Sequence, residues 1–219
     1  PQKNQHFLST NSERRMLCEN YGIDVEVEYP FTTTLMNMEP EEFVSDILIN
    51  KLKAKVIVVG TDYCFGRDRS GNVEFLISNA AKYGYETIVV EKEKFQDKDI
   101  SSTYVREELK LGHMETVNVL LNRPYSITGI VAKGNQLGRK LEIPTINVWY
   151  YGVTNLGTKP TISDGYEVSV ETNVFDFDKD VYGNRVEVAL YHFLRQEMKF
   201  ENVEALKKQM ESDASFAKE

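Results

Sequence analysis

The sequence predicts an α/β domain with a parallel sheet, followed by an antiparallel sheet or small barrel closed by a helix. Three observations carry this. Up to residue 121, short unbroken apolar runs alternate with helical stretches, the pattern of strands joined by crossover helices. From residue 122 the apolar residues recur with period two, the spacing of half-buried strands. Glycine turns separate those strands, and a last stretch from Asn202 onward reads as a helix. The predicted domains are residues 1–121 and 122–219.

In the first domain, Glu41–Leu52 places Phe43, Val44, Ile47, Leu48 and Leu52 at helical spacing with acids in the first turn, which suits the helix dipole. Lys55–Gly60 reads as a strand buried on both faces and ending in a glycine turn. Val73–Tyr83 is helical, Thr87–Val90 is a second buried strand, and Thr103–Leu111 is a short helix stopped by Gly112. In the second domain Tyr125–Val131 is strand-like. Within Tyr166–Phe175, Val168, Val170, Thr172 and Val174 share one face, with Glu167, Ser169, Glu171 and Asn173 on the other. Within Arg185–Leu194, Val186, Val188, Leu190, His192 and Leu194 share a face.

Composition removes several classes of function. The chain has 219 residues, with 26 basic against 34 acidic side chains and a net charge of −8. A non-specific grip on nucleic acid needs a basic surface, so nucleic acid is not an expected partner. Hydrophobic residues at 41% and charged residues at 27% make a globular mixture and not a disordered one. No stretch approaches the roughly 20 apolar residues of a membrane span, and no signal-peptide pattern is present. Cys18 and Cys64 are too few for a disulfide framework and, with three scattered histidines, form no zinc pattern. The expectation is a soluble, cytoplasmic protein without a membrane partner.

Several motifs carry possible chemistry, each beside an ordinary structural explanation. Gly60-Thr-Asp-Tyr-Cys-Phe-Gly66 follows a strand directly, and ligands sit at the carboxyl ends of parallel strands. A plain connecting turn would also use two glycines. Ser101-Ser-Thr-Tyr-Val-Arg106 opens a helix, where hydroxyls cap free amides and where the same amides with Arg106 can hold a phosphate. Glu107 and Glu108 fall in that expected first turn and suit the dipole. Gly134–Gly138 with Arg139 and Lys140 has three residues between its glycines where the Walker loop has four, and no helix follows. It is not a P-loop, yet its amides and cations suit a nucleotide phosphate; an ordinary hairpin loop is the alternative.

Thr145 and Asn147 lie two apart after Pro144, a spacing that on an extended segment would put their oxygens to one side. A hydroxyl and an amide oxygen are hard donors suited to Mg²⁺ carrying a nucleotide, although a strand beginning after proline looks the same. Glu171 stands in a strand, where glutamate is disfavoured, so a general base and a solvent-facing carboxylate both remain open. Asp176–Asp180 imitates a calcium loop, but Val181 stands where that loop requires glycine. It reads as a hairpin turn.

In this order the motifs resemble the prokaryotic bifunctional riboflavin kinase/FAD synthetase family over almost the whole chain. The match includes Leu8–Arg14, Glu41–Val44, Gly60–Gly66, Ile100–Thr103 with Arg106, Arg123–Tyr125, Gly134–Gly138 and Pro144–Asn147. It continues through Gly157–Thr161, Glu171-Thr172, Asp176–Gly183, Leu194-Arg195 and Lys199-Phe200. The resemblance implies an N-terminal Rossmann-like nucleotidyltransferase domain that transfers AMP to FMN. It also implies a C-terminal six-stranded antiparallel barrel with a terminal helix that phosphorylates riboflavin. ATP would be the co-substrate of both steps, Mg²⁺ the metal, and riboflavin, FMN and FAD the substrates and products.

Carried over by position, Thr145 and Asn147 resemble the metal and nucleotide ligands, and Glu171 the kinase base. Gly134, Gly138 and Arg139 would belong to the nucleotide loop. Gly60, Asp62, Ser101, Ser102, Thr103 and Arg106 would line the adenylyl site, and Arg195 resembles a flavin-site residue. The family's opening strand with its His-x-Gly-His motif has no counterpart here. Neither do about twenty residues between Tyr150 and Tyr151, the length of a strand and its turn. The expectation is that the numbering closes over absent segments. Ile146 and Glu142 stand where the family usually has alanine and glycine. Two further functional readings stay open: a riboflavin kinase with an inactive adenylyltransferase domain, and a flavin-nucleotide binding protein without turnover.

Overall fold

The computed structural model describes residues 7–132, 150–160 and 166–218. Contacts divide the chain into two units, Pro1–Glu107 and Glu108–Glu219.

The first unit opens with helix α1 (Asn11–Asn20), started by a capping box. The Thr10 hydroxyl accepts from the Glu13 N–H, and the Glu13 carboxylate accepts from the Thr10 N–H at 2.7 Å. A single turn, α2 (Thr33–Met36), is capped by Thr32. Helix α3 (Pro40–Glu42) runs straight into a π-helical segment, Phe43–Lys51. Val44 and Ile47 are buried, as the helical spacing predicts, but Leu52 is 47% exposed. Bonding from the Leu52 N–H to the Ile47 carbonyl packs an extra residue into the turn and carries Leu52 off the buried stripe.

Strand β1 (Val56–Gly60), helix α4 (Val73–Tyr83) and strand β2 (Glu86–Val90) form the expected crossover unit, with β1 and β2 parallel and in register from Val56–Glu86 to Gly60–Val90. Asn72 caps α4 by accepting from the Phe75 N–H, and Gly84 ends it in the left-handed region. The core consists of Val44, Ile57, Val59, Phe65, Val73, Leu76 and Tyr85. The expectation that both strands are buried on both faces is not met. Ile57 and Val59 are buried, but Val56 and Val58 are exposed on the other face, as are Ile88 and Val90 beside them. Among the described residues, helices cover only one side of this pair.

Two short strands, β3 (Lys94–Phe95) and β4 (Lys98–Asp99), form an antiparallel hairpin after β2. Gln96 and Asp97 both have positive φ, as a tight two-residue hairpin turn demands. Helix α5 (Ser102–Leu111) follows, stopped at Gly112 with φ 77°.

In the second unit, helix α6 (Met114–Leu121) is joined to two strands by one side chain. Asn118 donates to the Leu190 carbonyl at 2.9 Å and accepts from the Tyr125 N–H at 2.8 Å. Strand β5 (Tyr125–Ile130) pairs antiparallel with β8 (Arg185–Leu190), and β6 (Gly152–Pro160) pairs antiparallel with β7 (Tyr166–Val174). In register, Thr172 of β7 lies opposite Thr154, Val170 opposite Leu156 and Glu171 opposite Asn155. The face expected to be apolar is not buried, since Val170 and Leu156 are 39% and 44% exposed. His192 and Leu194 lie beyond the end of β8. Asp176–Asp180 is not a hairpin turn either, because the strands on each side of it pair with different partners. Helix α7 (Val203–Lys218) ends the described chain. The described strands form pairs, and no sheet closes among them.

Candidate functional site

The carboxyl end of the β1–β2 pair gathers the chemistry-bearing residues of the first unit. Gly60 is the last residue of β1, and Asp62 follows it in the turn. The glycines bounding that loop differ. Gly66 has φ 72°, and a Cβ there would lie 2.9 Å from Pro40 Cγ, so the fold itself demands glycine. Gly60 is in no such state, and a Cβ would meet only Asp62 Oδ1 at 3.5 Å. Packing among the described residues therefore does not account for Gly60.

Asp62 accepts a hydrogen bond from Lys92 Nζ at 2.6 Å. Gly60 and Val90 are register partners, so Asp62 and Lys92 each stand two residues beyond the end of their strand. The Lys92 hydrogen bond holds the Asp62 carboxyl below its ordinary range, against partial desolvation, with Arg69 acting in the same direction. Sequence reasoning missed Lys92, because Glu91-Lys-Glu-Lys94 reads as a solvated charge run.

The hairpin β3–β4 follows β2 in the chain. The Ile100 N–H donates to the Glu93 carbonyl at 2.9 Å, so the chain leaving β2 at Lys92 returns beside itself at Ser101. Ser101 caps α5: its hydroxyl accepts from the Tyr104 N–H at 3.2 Å, and its carbonyl accepts from the Val105 N–H at 3.0 Å. The structural explanation for Ser101 is thus realised. Ser102 and Thr103 are exposed in the first turn, and Arg106 is half-buried. Glu107 and Glu108 are not in that first turn, because the helix begins at Ser102. Glu107 pairs with Lys98 at 2.9 Å, and Lys98 lies over the Tyr104 ring. The structure thus brings Gly60, Asp62 and Ser101 to one end of the sheet pair, with Lys92 among them.

In the second unit Glu171 is exposed at mid-strand in β7. Arg195 makes a two-pronged contact with Asp213 of α7, Nε at 3.1 Å and Nη2 at 2.7 Å, and its Nη1 donates to the Gln196 carbonyl. Gln209 donates to the same carboxylate at 2.9 Å. Gly134, Gly138, Arg139, Thr145 and Asn147 lie outside the described residues. Among the described residues no group of three or more His, Cys, Asp or Glu could hold a metal. His113 and His192 pair with Glu108 and Glu115.

Comparison with known proteins places these observations. The FAD synthetase family model matches residues 1–104, and the riboflavin kinase family model matches residues 121–150 and 148–219. A Haemophilus influenzae protein named bifunctional riboflavin kinase/FMN adenylyltransferase is 31% identical, with 99% of this chain covering 80% of that protein. A Bacillus subtilis protein of the same name is 33% identical, covering 91% of this chain and 70% of its own length. A crystal structure described as a macrolide-efflux protein from Streptococcus pneumoniae superposes with a TM-score of 0.80 at 25% identity, over 99% of this chain and 79% of that one. Among the described residues no helix is long and apolar enough to cross a membrane. With both family models matched in order and relatives above 30% identity over most of their length, the chain belongs to the bifunctional riboflavin kinase/FMN adenylyltransferase family.

Proposed function

We propose that this protein phosphorylates riboflavin to FMN and adenylates FMN to FAD, with ATP as co-substrate of both steps. The observation that carries the reading is the ordered match of one chain to both family models. The N-terminal domain, residues 1–121, would transfer AMP at the carboxyl end of β1 and β2. There Gly60, Asp62, Ser101, Ser102, Thr103 and Arg106 would line the nucleotide and flavin site. The C-terminal domain, residues 122–219, would be the kinase, with its strand pairs belonging to a six-stranded barrel.

In the kinase step, the flavin ribityl hydroxyl oxygen attacks the terminal phosphorus of ATP, the bond from that phosphorus to ADP breaks, and Glu171 takes the hydroxyl proton. Gly134, Gly138 and Arg139 would cradle the ATP phosphates, and Arg195 would meet the flavin. The donor chemistry of Thr145 and Asn147, one hydroxyl and one amide oxygen, fits Mg²⁺. The ion, when bound, neutralises phosphate charge. Phosphoryl transfer rests mostly on positioning and charge neutralisation, which suits a site of glycine loop, hydroxyl, amide and one carboxylate. On this reading the partners are small molecules, and a riboflavin- and ATP-consuming enzyme suits a cytoplasmic location.

The test is incubation of the full-length protein with riboflavin, Mg²⁺ and ATP, followed by separation of products. FAD is expected. FMN alone would leave only the kinase half of the proposal, and neither product would leave a binding protein.

A further inference from the structure

Lys92 belongs to no motif of the sequence, yet it is hydrogen-bonded to Asp62 of the candidate adenylyl site. Three chain segments converge there. The turn after β1 brings Asp62, the end of β2 brings Lys92, and the return of the β3–β4 hairpin at the Glu93–Ile100 hydrogen bond brings Ser101 beside Lys92. The Lys92 side chain is the less exposed of the pair, 32% against 69% for the Asp62 side chain. The lysine is therefore the more enclosed partner and the aspartate the more exposed one. Arg69 from the loop after β1 also acts on Asp62, and Asp99 of β4 acts on Lys92. An isolated surface ion pair between two flexible side chains contributes little. This one differs in having its cation anchored by adjoining parallel strands at the end where ligands bind.

We infer that Lys92 is a positioning residue for adenylyl transfer: it fixes the Asp62 carboxylate as an acceptor for the nucleotide and offsets its negative charge so that a polyphosphate can approach. The inference rests on the adenylyl-transfer reading of this end of the sheet. Lys92 acts through Asp62 and forms no bond to the reacting phosphorus. The transfer itself joins an FMN phosphate oxygen to the α-phosphorus of ATP and releases pyrophosphate.

The test uses the full-length protein and measures kcat/KM for FAD formation from FMN and Mg-ATP. Lys92→Met is expected to lower it by about tenfold or more, with riboflavin phosphorylation unchanged. Lys92→Arg should recover most of the loss. Asp62→Asn should lower it too, and the double variant should be no worse than the worse single one, because both changes remove one coupled unit. Without its lysine, Asp62 returns toward the ordinary carboxylate range. The acid limb of the profile should therefore move to higher pH in Lys92→Met, a change that loss of mere structural support would not produce. Should Lys92→Met fail to fold in a thermal melt, Lys92→Gln replaces it in the same cycle. Unchanged kcat/KM in the lysine variant, or single losses that multiply in the double variant, would overturn the inference while wild-type FAD synthesis leaves the functional reading intact. A wild-type protein that makes no FAD overturns the reading, and the inference falls with it.

Discussion

Glu171 shows how far a single residue could be read. Its strand was legible from period two, and β7 pairs with β6 so that Asn155 stands across from it. Val170 and Leu156 on the expected apolar face are 39% and 44% exposed, however, so burial does not set its face apart. Its role was not legible, because an exposed strand carboxylate has the same local signature whether it accepts a proton or only meets water. Glutamine separates the two cases. As a surface change it would cost within about 0.5 kcal/mol, whereas loss of a general base lowers rate by roughly 10²–10⁴. Glu171→Gln should therefore cut riboflavin phosphorylation by that order, with the melt unchanged and AMP transfer to added FMN retained. Near-normal FMN production would reduce Glu171 to a surface carboxylate. Gly66 makes the opposite case, where backbone and not chemistry fixes the residue. Its φ of 72° and the nearness of Pro40 mean that Gly66→Ala should destabilise the first unit by roughly 1–3 kcal/mol, read as a lowered denaturation midpoint. A midpoint equal to that of wild type would show that the loop relaxes freely.

Elements were legible where local chemistry and burial agree. Helix α4 spans Val73–Tyr83, the predicted residues, because Asn72 and Gly84 supply both caps and Leu76 faces the core. Where tertiary context sets the geometry, the sequence was silent. The turn of the β3–β4 hairpin uses Gln96 and Asp97 at positive φ, without the Asn-Gly signal that marks such turns. The register that seats Lys92 against Asp62 likewise exists only once β1 and β2 are paired. Helix α7 illustrates an element held by charge. Asp213 is kept below its ordinary value of 3.8, first by the Arg195 hydrogen bond and then by Gln209, against desolvation. A carboxyl lowered in the folded state contributes its full stabilisation above the unfolded value and loses it as pH falls through the folded value. Asp213→Asn should thus cost about 1 kcal/mol at neutral pH. Thermal melts taken stepwise toward acid should show the gap to wild type closing below the ordinary carboxylate value. A gap that is constant with pH would mean that the amide disturbs packing and the charge contributes nothing.

At the scale of the whole molecule, the two family models match in order, residues 1–104 and then 121–150 and 148–219, so one chain carries two chemistries that meet in one product. Contacts divide the chain between Glu107 and Glu108, within α5 and before the change of periodicity. If the kinase depends on Thr145 and the adenylyl site on Arg106, each can be disabled without the other. Thr145→Val keeps the side chain's shape and removes the oxygen donor. It should lower riboflavin phosphorylation by at least about tenfold, while FAD still forms from supplied FMN. Arg106→Ala should stop at FMN, because the guanidinium offered to phosphate is gone. FMN is itself a substrate that the second site accepts from solution under this proposal. A mixture of the two variants fed riboflavin should therefore regain FAD synthesis after a lag, and adding FMN at the start should remove the lag. Product separation over time reads all three results. If Thr145→Val lost both activities together, Thr145 would not belong to the kinase alone. If the mixture formed FMN but never FAD, the two sites would be working only as a pair within one intact chain.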